Sequence, residues 1–293
     1  MHHTDHFADP GAIVVSCTLL RPRTRTIPSL IGPFLLDPDP PTIDGVRPPV
    51  DHIPAPPFPP RLPWFNVAAL RMDQQLGRPV LIEFWDFCRP NSIRTLPYMR
   101  AWHERYETAG LRVIGVHAAG FEPSADPDQV GAAVERLEVP YPVVVDVNLE
   151  IWQDYGNLGW PARYLFGPNG RLFDYHYGEG GYDETERAIQ ELLEIDAPLL
   201  EPLRPEDAPG AQLTQQTGDV EGPYSGPYEA GAVWAVLGGE GAVTANGRTI
   251  AVTHAGAYEL VSHARSTAGE LDLQVGEGVT CHAVCFTPGL AQR

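Results

Sequence analysis

Residues 77–106 read GRPVLIEFWDFCRPNSIRTLPYMRAWHERY, and the predicted fold depends chiefly on this segment. Its residues 79–84 form an apolar run too short for a stable helix, which predicts a strand buried on both faces of a sheet. After a short loop, apolar side chains recur at steps of three and four residues, at Ile93, Leu96, Tyr98, Met99 and Trp102. This spacing predicts an amphipathic helix over residues 91–106. We expect any chemistry of the segment where the strand is followed by the helix.

The residues around this junction resemble the thioredoxin-like redoxin domains of the DipZ and TlpA type. In that family the pattern F-W-x-x-x-C-x-x-C joins the first central strand to the active-site helix. The similarity is carried by Phe84, Trp85, IRTLPY at residues 93–98 and AW at residues 101–102. In the register that it gives, the two redox cysteines fall at positions occupied here by Arg89 and Ser92. The resemblance therefore implies a thioredoxin fold in which the dithiol motif is degenerate.

The chain after this helix alternates between strand and helix patterns. The predicted elements are strands at residues 111–117 and 141–145 and helices at residues 126–137 and 149–155. Such alternation predicts an α/β domain whose central sheet is covered by helices on both faces. Residues 156–187 then resemble the final hairpin and helix of these redoxins, with a turn at residues 168–170.

Pro161, which follows Trp160, matches a proline that the redoxin resemblance implies to be cis. In that family the cis-proline faces the active-site loop, and backbone groups beside it pair with an extended substrate. An X-Pro bond is the one peptide bond for which the cis form costs little free energy. The alternative is an ordinary trans proline at the start of a strand. The resemblance thus assigns Trp160 and Pro161 to a binding groove.

The composition restricts the partners and the location. The chain has 293 residues with 38 acidic and 20 basic side chains and a formal net charge of −18, which disfavours nucleic acid and anionic membranes as partners. Neither a signal peptide nor a membrane-spanning run is present in the sequence, which predicts a cytoplasmic protein without membrane insertion. No cofactor and no metal site is predicted. The histidines near the N-terminus lack further ligands nearby and are interpreted as a disordered polar end: His2, His3 and His6.

Composition shifts divide the chain into four parts. The prediction is an N-terminal extension with a proline-rich tether at residues 1–51, a thioredoxin-like domain at 52–196, a linker at 197–223 and a small β-sandwich-like domain at 224–293. One strand is predicted in the extension, at residues 12–20. Six short strands are predicted in the last domain, at residues 232–237, 242–245, 249–253, 258–261, 270–275 and 280–286. The last domain also resembles a shortened form of the β-domain that DipZ-like proteins carry, and we draw no sugar-binding inference from it.

Cys88 is the one thiol near the strand-to-helix junction. A helix N-terminus and the neighbouring Arg89 are expected to lower the pKa of this thiol, which would suit a single-thiol nucleophile. Without a resolving cysteine in the motif, Cys88 cannot complete an intramolecular dithiol cycle. The alternative interpretation is a small buried residue in a tight loop.

The polar residues beside Cys88 also have two interpretations. Asn91 and Ser92 are good helix-capping residues. Alternatively, Ser92 and the free amides of the first turn bind an anion or a thiol. With Trp85 and Arg89 at the same junction, these residues form the candidate binding set. His117 ends a predicted strand and is expected to be a hydrogen-bonded structural histidine.

Two further cysteines, Cys281 and Cys285, lie in the last predicted strand. The two-residue period of a strand places them on the same face, about 13 Å apart, which is too far for a disulfide bond or a shared metal. We therefore expect two buried thiols in the core of the β-domain.

The sequence favours a degenerate redoxin that has lost dithiol exchange and keeps the cis-proline groove for a peptide, a protein or a low-molecular-weight thiol. Two alternatives stay open. One is a monothiol oxidoreductase or thiol transferase that uses Cys88. The other is a structural module of a larger complex.

Overall fold

The computed structural model describes residues 50–292. The predicted strand at residues 12–20, the N-terminal histidines, Cys17 and most of the predicted tether lie outside the described residues. In the described part, an α/β domain with a six-stranded mixed sheet is followed by an all-β region of several antiparallel sheets. The predicted fold class, a thioredoxin-like fold followed by an all-β part, is confirmed.

The first domain contains six strands and four helices. The strands are β1 (Trp64–Phe65), β2 (Val80–Trp85), β3 (Arg112–His117), β4 (Val143–Val145), β5 (Ala162–Phe166) and β6 (Leu172–Tyr177). The helices are α1 (Pro90–Tyr106), α2 (Pro127–Arg136), α3 (Glu150–Asp154) and α4 (Tyr182–Leu193). The spatial order of the sheet is β1-β4-β3-β2-β5-β6, in which β2, β3 and β4 run parallel and the others antiparallel to their neighbours.

Strand β2 lies inside this sheet, and all six of its residues are buried. Its apolar run has no exposed face because β3 pairs on one side, β5 pairs on the other, and apolar clusters cover both faces. Helix α1 begins directly after the loop at residues 86–89. Pro90 occupies its first turn, where the missing amide hydrogen costs nothing. The sequence thus predicts both elements to within one or two residues.

The all-β part contains nine strands. They are β7 (Leu213–Thr214), β8 (Val220–Glu221), β9 (Gly226–Gly239), β10 (Gly241–Ala245), β11 (Arg248–Val252), β12 (Gly256–Leu271), β13 (Leu273–Val275), β14 (Val279–Thr287) and β15 (Gly289–Leu290). They form sheets of the orders β12-β9-β14-β8, β11-β10-β13 and β15-β7. Two of these strands, β7 and β8, fall within residues 197–223, so the predicted linker contributes to the β-sheets.

The hairpin between β10 and β11 turns at Asn246 and Gly247, both of which have positive φ. Two consecutive positive φ angles match the right-handed twist of the strands, which explains the Asn-Gly pair. Strand β12 is longer than predicted, because residues 258–261 continue to Leu271 through two register shifts against β9. A bulge absorbs an extra residue and bends the strand, so sequence alternation is interrupted although pairing continues.

A bulge also corrects the predicted placement of the two C-terminal cysteines. The pairing of β14 with β9 shifts register between Cys281 and Ala283. Cys281 consequently packs in the core of the β-domain, whereas Cys285 packs in the apolar cluster that belongs mainly to the first domain. The prediction that both thiols face one side was wrong, because a single extra residue reverses the alternation.

The two domains share this apolar cluster. Val236, Ala283 and Cys285 from the β-domain pack together with residues of the first domain such as Leu96 and Phe121. No helix of the described chain is long and apolar enough to cross a membrane. The cytoplasmic location stays a prediction.

Candidate functional site

The junction between β2 and α1 is organised by the buried carboxylate of Asp86. Its Oδ1 accepts a hydrogen bond from the amide of Cys88 at 2.8 Å. Its Oδ2 accepts from the amide of Gly120 at 2.7 Å and from the hydroxyl of Ser124 at 3.0 Å. The backbone amide of Asp86 in turn donates to Oγ of Ser92 at 3.3 Å. One carboxylate therefore joins the junction loop to the loop that follows β3.

Cys88 lies inside this loop and is completely buried. Burial raises the pKa of the Cys88 thiol well above its usual value, and the Asp86 carboxylate raises it further. Arg89 opposes this shift only weakly, although the sequence suggested a lowered pKa. That expectation was wrong because a thiolate at this depth would lose its hydration, which outweighs the favourable charge of one guanidinium.

Arg89 occupies the position at which the resemblance places the first cysteine. Its guanidinium carbon lies 4.1 Å from the ring centroid of Trp160 and 5.0 Å from that of Phe121, and the residue is only 7% exposed. The Nε atom is buried without a hydrogen-bond partner in the described chain. A Cβ atom at Gly120 would lie 2.5 Å from this Nε, so a glycine is needed there for the side chain to fit.

Asn91 and Ser92 lie in the first turn of α1, and Arg89 takes the N-cap position without a capping side-chain bond. The capping interpretation is correct for Asn91, whose Oδ1 accepts a hydrogen bond from the first-turn amide of Ser92 at 3.0 Å, and wrong for Ser92, whose side chain bonds outside the helix. Asn91 Nδ2 donates to the carbonyl of Trp160 at 2.7 Å, whereas Ser92 is fully buried against the Asp86 amide. A carbonyl beside Pro161 is thus already engaged by the chain itself.

The peptide bond between Trp160 and Pro161 is cis. Pro161 is buried, and Trp160 is partly exposed and packs at 4.1 Å between ring centroids on Trp152. The indole Nε1 of Trp160 donates to the carbonyl of Ala118 at 2.8 Å. Leu158 beside them is 62% exposed. Trp160 and Leu158 therefore leave an apolar surface open next to the proline.

Trp85 is fully buried and packs edge-on against His117, with ring centroids 5.1 Å apart. Trp85 therefore presents no surface to a ligand. Burial lowers the pKa of His117 to about 4, against the opposing charge of Asp86 at 3.8 Å. Neither ring nitrogen of His117 has a hydrogen-bond partner in the described chain, so the prediction of a hydrogen-bonded histidine was wrong.

A buried acid, Glu83, lies under the site. Sequence reasoning did not assign it a role. Glu83 on β2 faces Arg163 on β5, and both are almost completely buried. Burial raises the pKa of Glu83 to about 8, opposed by the charge of Arg163. The only sequence signal is an acidic residue within the apolar run of β2. A neutral carboxyl at this position avoids the large cost of a buried charge.

Among the described residues, no group of three His, Cys, Asp or Glu side chains is placed to hold a metal ion. The site as built contains a buried thiol, a buried guanidinium between two aromatic rings and a cis-proline beside an exposed apolar surface. Its two halves differ in access. We call the buried set the closed half and the partly exposed set the open half. The closed half is Asp86, Cys88, Arg89 and Ser92, and the open half is Leu158, Trp160 and Pro161.

Comparison with known proteins relates the first domain to redoxins and thiol-disulfide oxidoreductases. Residues 61–174 match the model of the AhpC/TSA family. Over 163 residues the chain is 35% identical to protein DipZ of Mycobacterium tuberculosis, an alignment covering 53% of this chain and 24% of that protein. It is 25% identical over 131 residues to the thiol-disulfide oxidoreductase YkuV of Bacillus subtilis, covering 44% of this chain and 87% of that protein.

Among solved structures, a thiol-disulfide isomerase from Corynebacterium glutamicum superimposes with a TM-score of 0.44 at 20% sequence identity, covering 48% of this chain and 98% of that one. The chain spans about a quarter of the length of the DipZ protein that it matches.

Proposed function

We propose, given that residues 61–174 form a thioredoxin-like redoxin domain, that this chain is a binding module that has lost dithiol–disulfide exchange. One observation carries the proposal. Cys88 is completely buried with a raised pKa, and the position at which the resemblance places the attacking thiol holds the buried guanidinium of Arg89. A thiol that is neither exposed nor ionised is a poor nucleophile.

The same observation weighs against the alternative of a monothiol enzyme. Attack on a disulfide or peroxide needs an ionised sulfur that the substrate can reach. Cys88 meets neither condition in the folded protein. The alternative of a structural module is compatible with the apolar cluster shared by the two domains.

The experiment that tests the loss of exchange is alkylation of Cys88 in the native protein as a function of pH, with Cys88→Ser as the control. Modified cysteines are located by peptide mass mapping, so no other thiol needs to be removed. We expect Cys88 to react only when the protein unfolds or opens locally. Rapid native alkylation below pH 8 would overturn the proposal and favour the monothiol enzyme.

The ligand site that we propose is the open half, where an extended peptide or a thiol-bearing ligand would contact Leu158 and Trp160. Large aromatic and aliphatic side chains that stay exposed are typical of binding surfaces. The support is the 62% exposure of Leu158 beside the partly exposed Trp160 and the cis-proline.

A matched pair of variants tests this surface. Leu76 is 60% exposed, nearly the same as Leu158, but its side chain contacts Gly170 in the turn at the opposite end of the β5–β6 hairpin. The probes are a labelled, carboxymethylated unfolded polypeptide and glutathione. We expect Leu158→Ser to weaken binding of one probe at least fivefold and Leu76→Ser to leave it unchanged. Equal effects of the two variants, or no binding by the wild type, would contradict the proposal.

A further inference from the structure

The segment after the first domain, residues 198–221, is fastened to α1 and is called the strap here. The backbone amide of Leu203 donates to the hydroxyl of Tyr98 at 2.8 Å. That hydroxyl donates to Oδ2 of Asp207 at 2.9 Å. Tyr98 is itself buried and stacks on Tyr182, with ring centroids 3.7 Å apart. The strap is therefore held to α1 through a rigid aromatic anchor.

Arg94 forms a second, charged anchor close to the site. Its Nε lies 2.8 Å from a carboxylate oxygen of Glu179 and its Nη2 lies 3.1 Å from one of Glu206, while its carbonyl accepts a bond from Arg204 at 2.8 Å. The Arg94 side chain is 11% exposed, so these bonds are shielded from water. One residue in α1 thus joins the helix, the loop after β6 and the strap.

The far end of the strap approaches the site from the other side. Asp219 accepts a hydrogen bond from the amide of Phe286 at 3.1 Å, which fixes its carboxylate beside β14. Burial raises the pKa of the Asp219 carboxyl, and the charge of Arg89 is among the effects that oppose this rise. Arg89 forms no ion pair within 4 Å in residues 50–292, so its charge acts on Asp219 without direct contact between the two side chains.

The sheet β12-β9-β14-β8, whose strand β8 belongs to the strap, covers the same end of the first domain. Cys285, next to Phe286 on β14, lies in one apolar cluster with Cys88 and Phe121. A Cβ atom at Gly238 would lie 4.0 Å from Cβ of Pro123, in the loop bonded to Asp86. The β-domain is therefore in direct contact with the loop that surrounds the thiol.

These contacts share one consequence. We infer that the strap and the sheet β12-β9-β14-β8 are an intramolecular partner that closes half of the redoxin site. Its two positioning residues are Glu206, which pairs with Arg94, and Asp219, which bonds the strap to β14. The closed half is thus an interface between the first domain and this chain's own β-domain. Access to Cys88 is then controlled by release of the strap and does not require global unfolding. The inference concerns the closed half and does not depend on a ligand in the open half.

The test measures local opening with Cys88 as the reporter. The native protein is exposed to excess alkylating reagent at a fixed pH, and modification of Cys88 is followed by peptide mass mapping in the wild type, in Glu206→Gln, in Asp219→Asn and in the double variant. We expect the double variant to react at least tenfold faster, and each single variant to lie between it and the wild type. The matched control is Glu201→Gln, an exposed carboxylate of the same strap, which should leave the rate unchanged.

Thermal unfolding of the same variants is measured to distinguish release of the strap from a loss of stability of the whole protein. Release of the strap predicts that hydrogen exchange rises in the first turn of α1 and in β14 and stays unchanged in the buried strand β2. A double variant that alkylates as slowly as the wild type, or exchange that rises equally in β2, would overturn the inference. Failure of the proposed function has a different signature, because it requires Cys88 of the wild type to react rapidly.

Discussion

The two halves of the site lie at the same end of one sheet and yet have opposite properties. In the closed half, Cys88 and Ser92 have no exposed surface and Arg89 has almost none. In the open half, Leu158 is mostly exposed and Trp160 partly so. Loop 118–124 and the β-domain pack against the closed half, whereas Leu158 in the open half stays exposed. One end of this sheet therefore combines a buried set of side chains with a partly exposed apolar surface.

Removing the carboxylate that organises the closed half should have the greatest effect on stability. Asp86→Ala leaves the buried amides of Cys88 and Gly120 without their acceptor and removes one of the two acceptors of the Ser124 hydroxyl. Each lost bond to a buried charged group costs up to about 3 kcal/mol. We expect the free energy of unfolding to fall by about 4 kcal/mol in a denaturant titration. Asp126→Ala, which removes one exposed helix-capping bond, should cost about 1 kcal/mol; equal losses would contradict this contrast.

Glu83 should make the folded protein less stable as the pH rises. Its folded-state pKa of about 8 exceeds the ordinary value of 4.5, so between these values the folded state keeps a proton that the unfolded state has lost. Stability therefore falls with rising pH in this window. Glu83→Gln removes the free-energy cost of keeping this buried carboxyl protonated above its ordinary pKa. We expect the variant to be more stable than the wild type by about 3 kcal/mol at about pH 7.

The measurement is denaturant unfolding of wild type and Glu83→Gln at pH 5, 6, 7 and 8. The exposed Glu104 supplies the control variant Glu104→Gln. If the difference between Glu83→Gln and the wild type does not grow with pH, the carboxyl is ionised in the folded protein and pairs with Arg163.

His117 should change the stability of the folded protein with pH in the opposite direction, so that stability falls as the pH falls. Its pKa is about 4 in the folded protein, compared with an ordinary value of 6.5. Between these pH values the unfolded state therefore binds a proton that the folded state does not bind. Stability contributed by the neutral ring is present above pH 6.5 and is lost as the pH falls towards 4. Relative to His117→Gln, the wild type should lose about 2 kcal/mol between pH 7 and pH 5. His52→Gln, at an exposed position, should show no such change, and a parallel response of both variants would rule out this role for burial.

The contact between the two halves should contribute least. Asn91→Ala removes the 2.7 Å bond to the carbonyl of Trp160 and the 3.0 Å bond that Asn91 Oδ1 accepts from the amide of Ser92. We expect the two losses together to lower the unfolding free energy by about 1.5 kcal/mol, since each such bond has a net value of about 1 kcal/mol or less at a partly buried position. The exposed Asn148→Ala is the control, since its bond to Glu150 spans 3.3 Å at the surface. A loss at Asn91 no larger than at Asn148 would show that the halves are not joined by this bond.

Much of the fold could be predicted because it depends on neighbours in the chain. The apolar run of β2, the three- and four-residue spacing in α1 and the Asn-Gly turn each specify a local backbone conformation. The length of strand β12 and the faces on which the two C-terminal cysteines lie could not be predicted in this way. A bulge adds one residue to a strand and reverses the inward-facing positions beyond it, and the sequence pattern does not reveal where it occurs.

The order of amino acids was enough to predict a thioredoxin-like fold, which is confirmed, and to predict Arg89 and Ser92 at the two positions where the resemblance places the redox cysteines. The burial and raised pKa of Cys88, and the packing of Cys285 from β14 in the same apolar cluster, emerged only from the packed domains. The physical reason is that helix and strand preferences act over a few residues. The desolvation that raises the pKa of Cys88 depends on its burial among groups such as Phe121 and Cys285, which are distant in the chain and meet only in the folded protein.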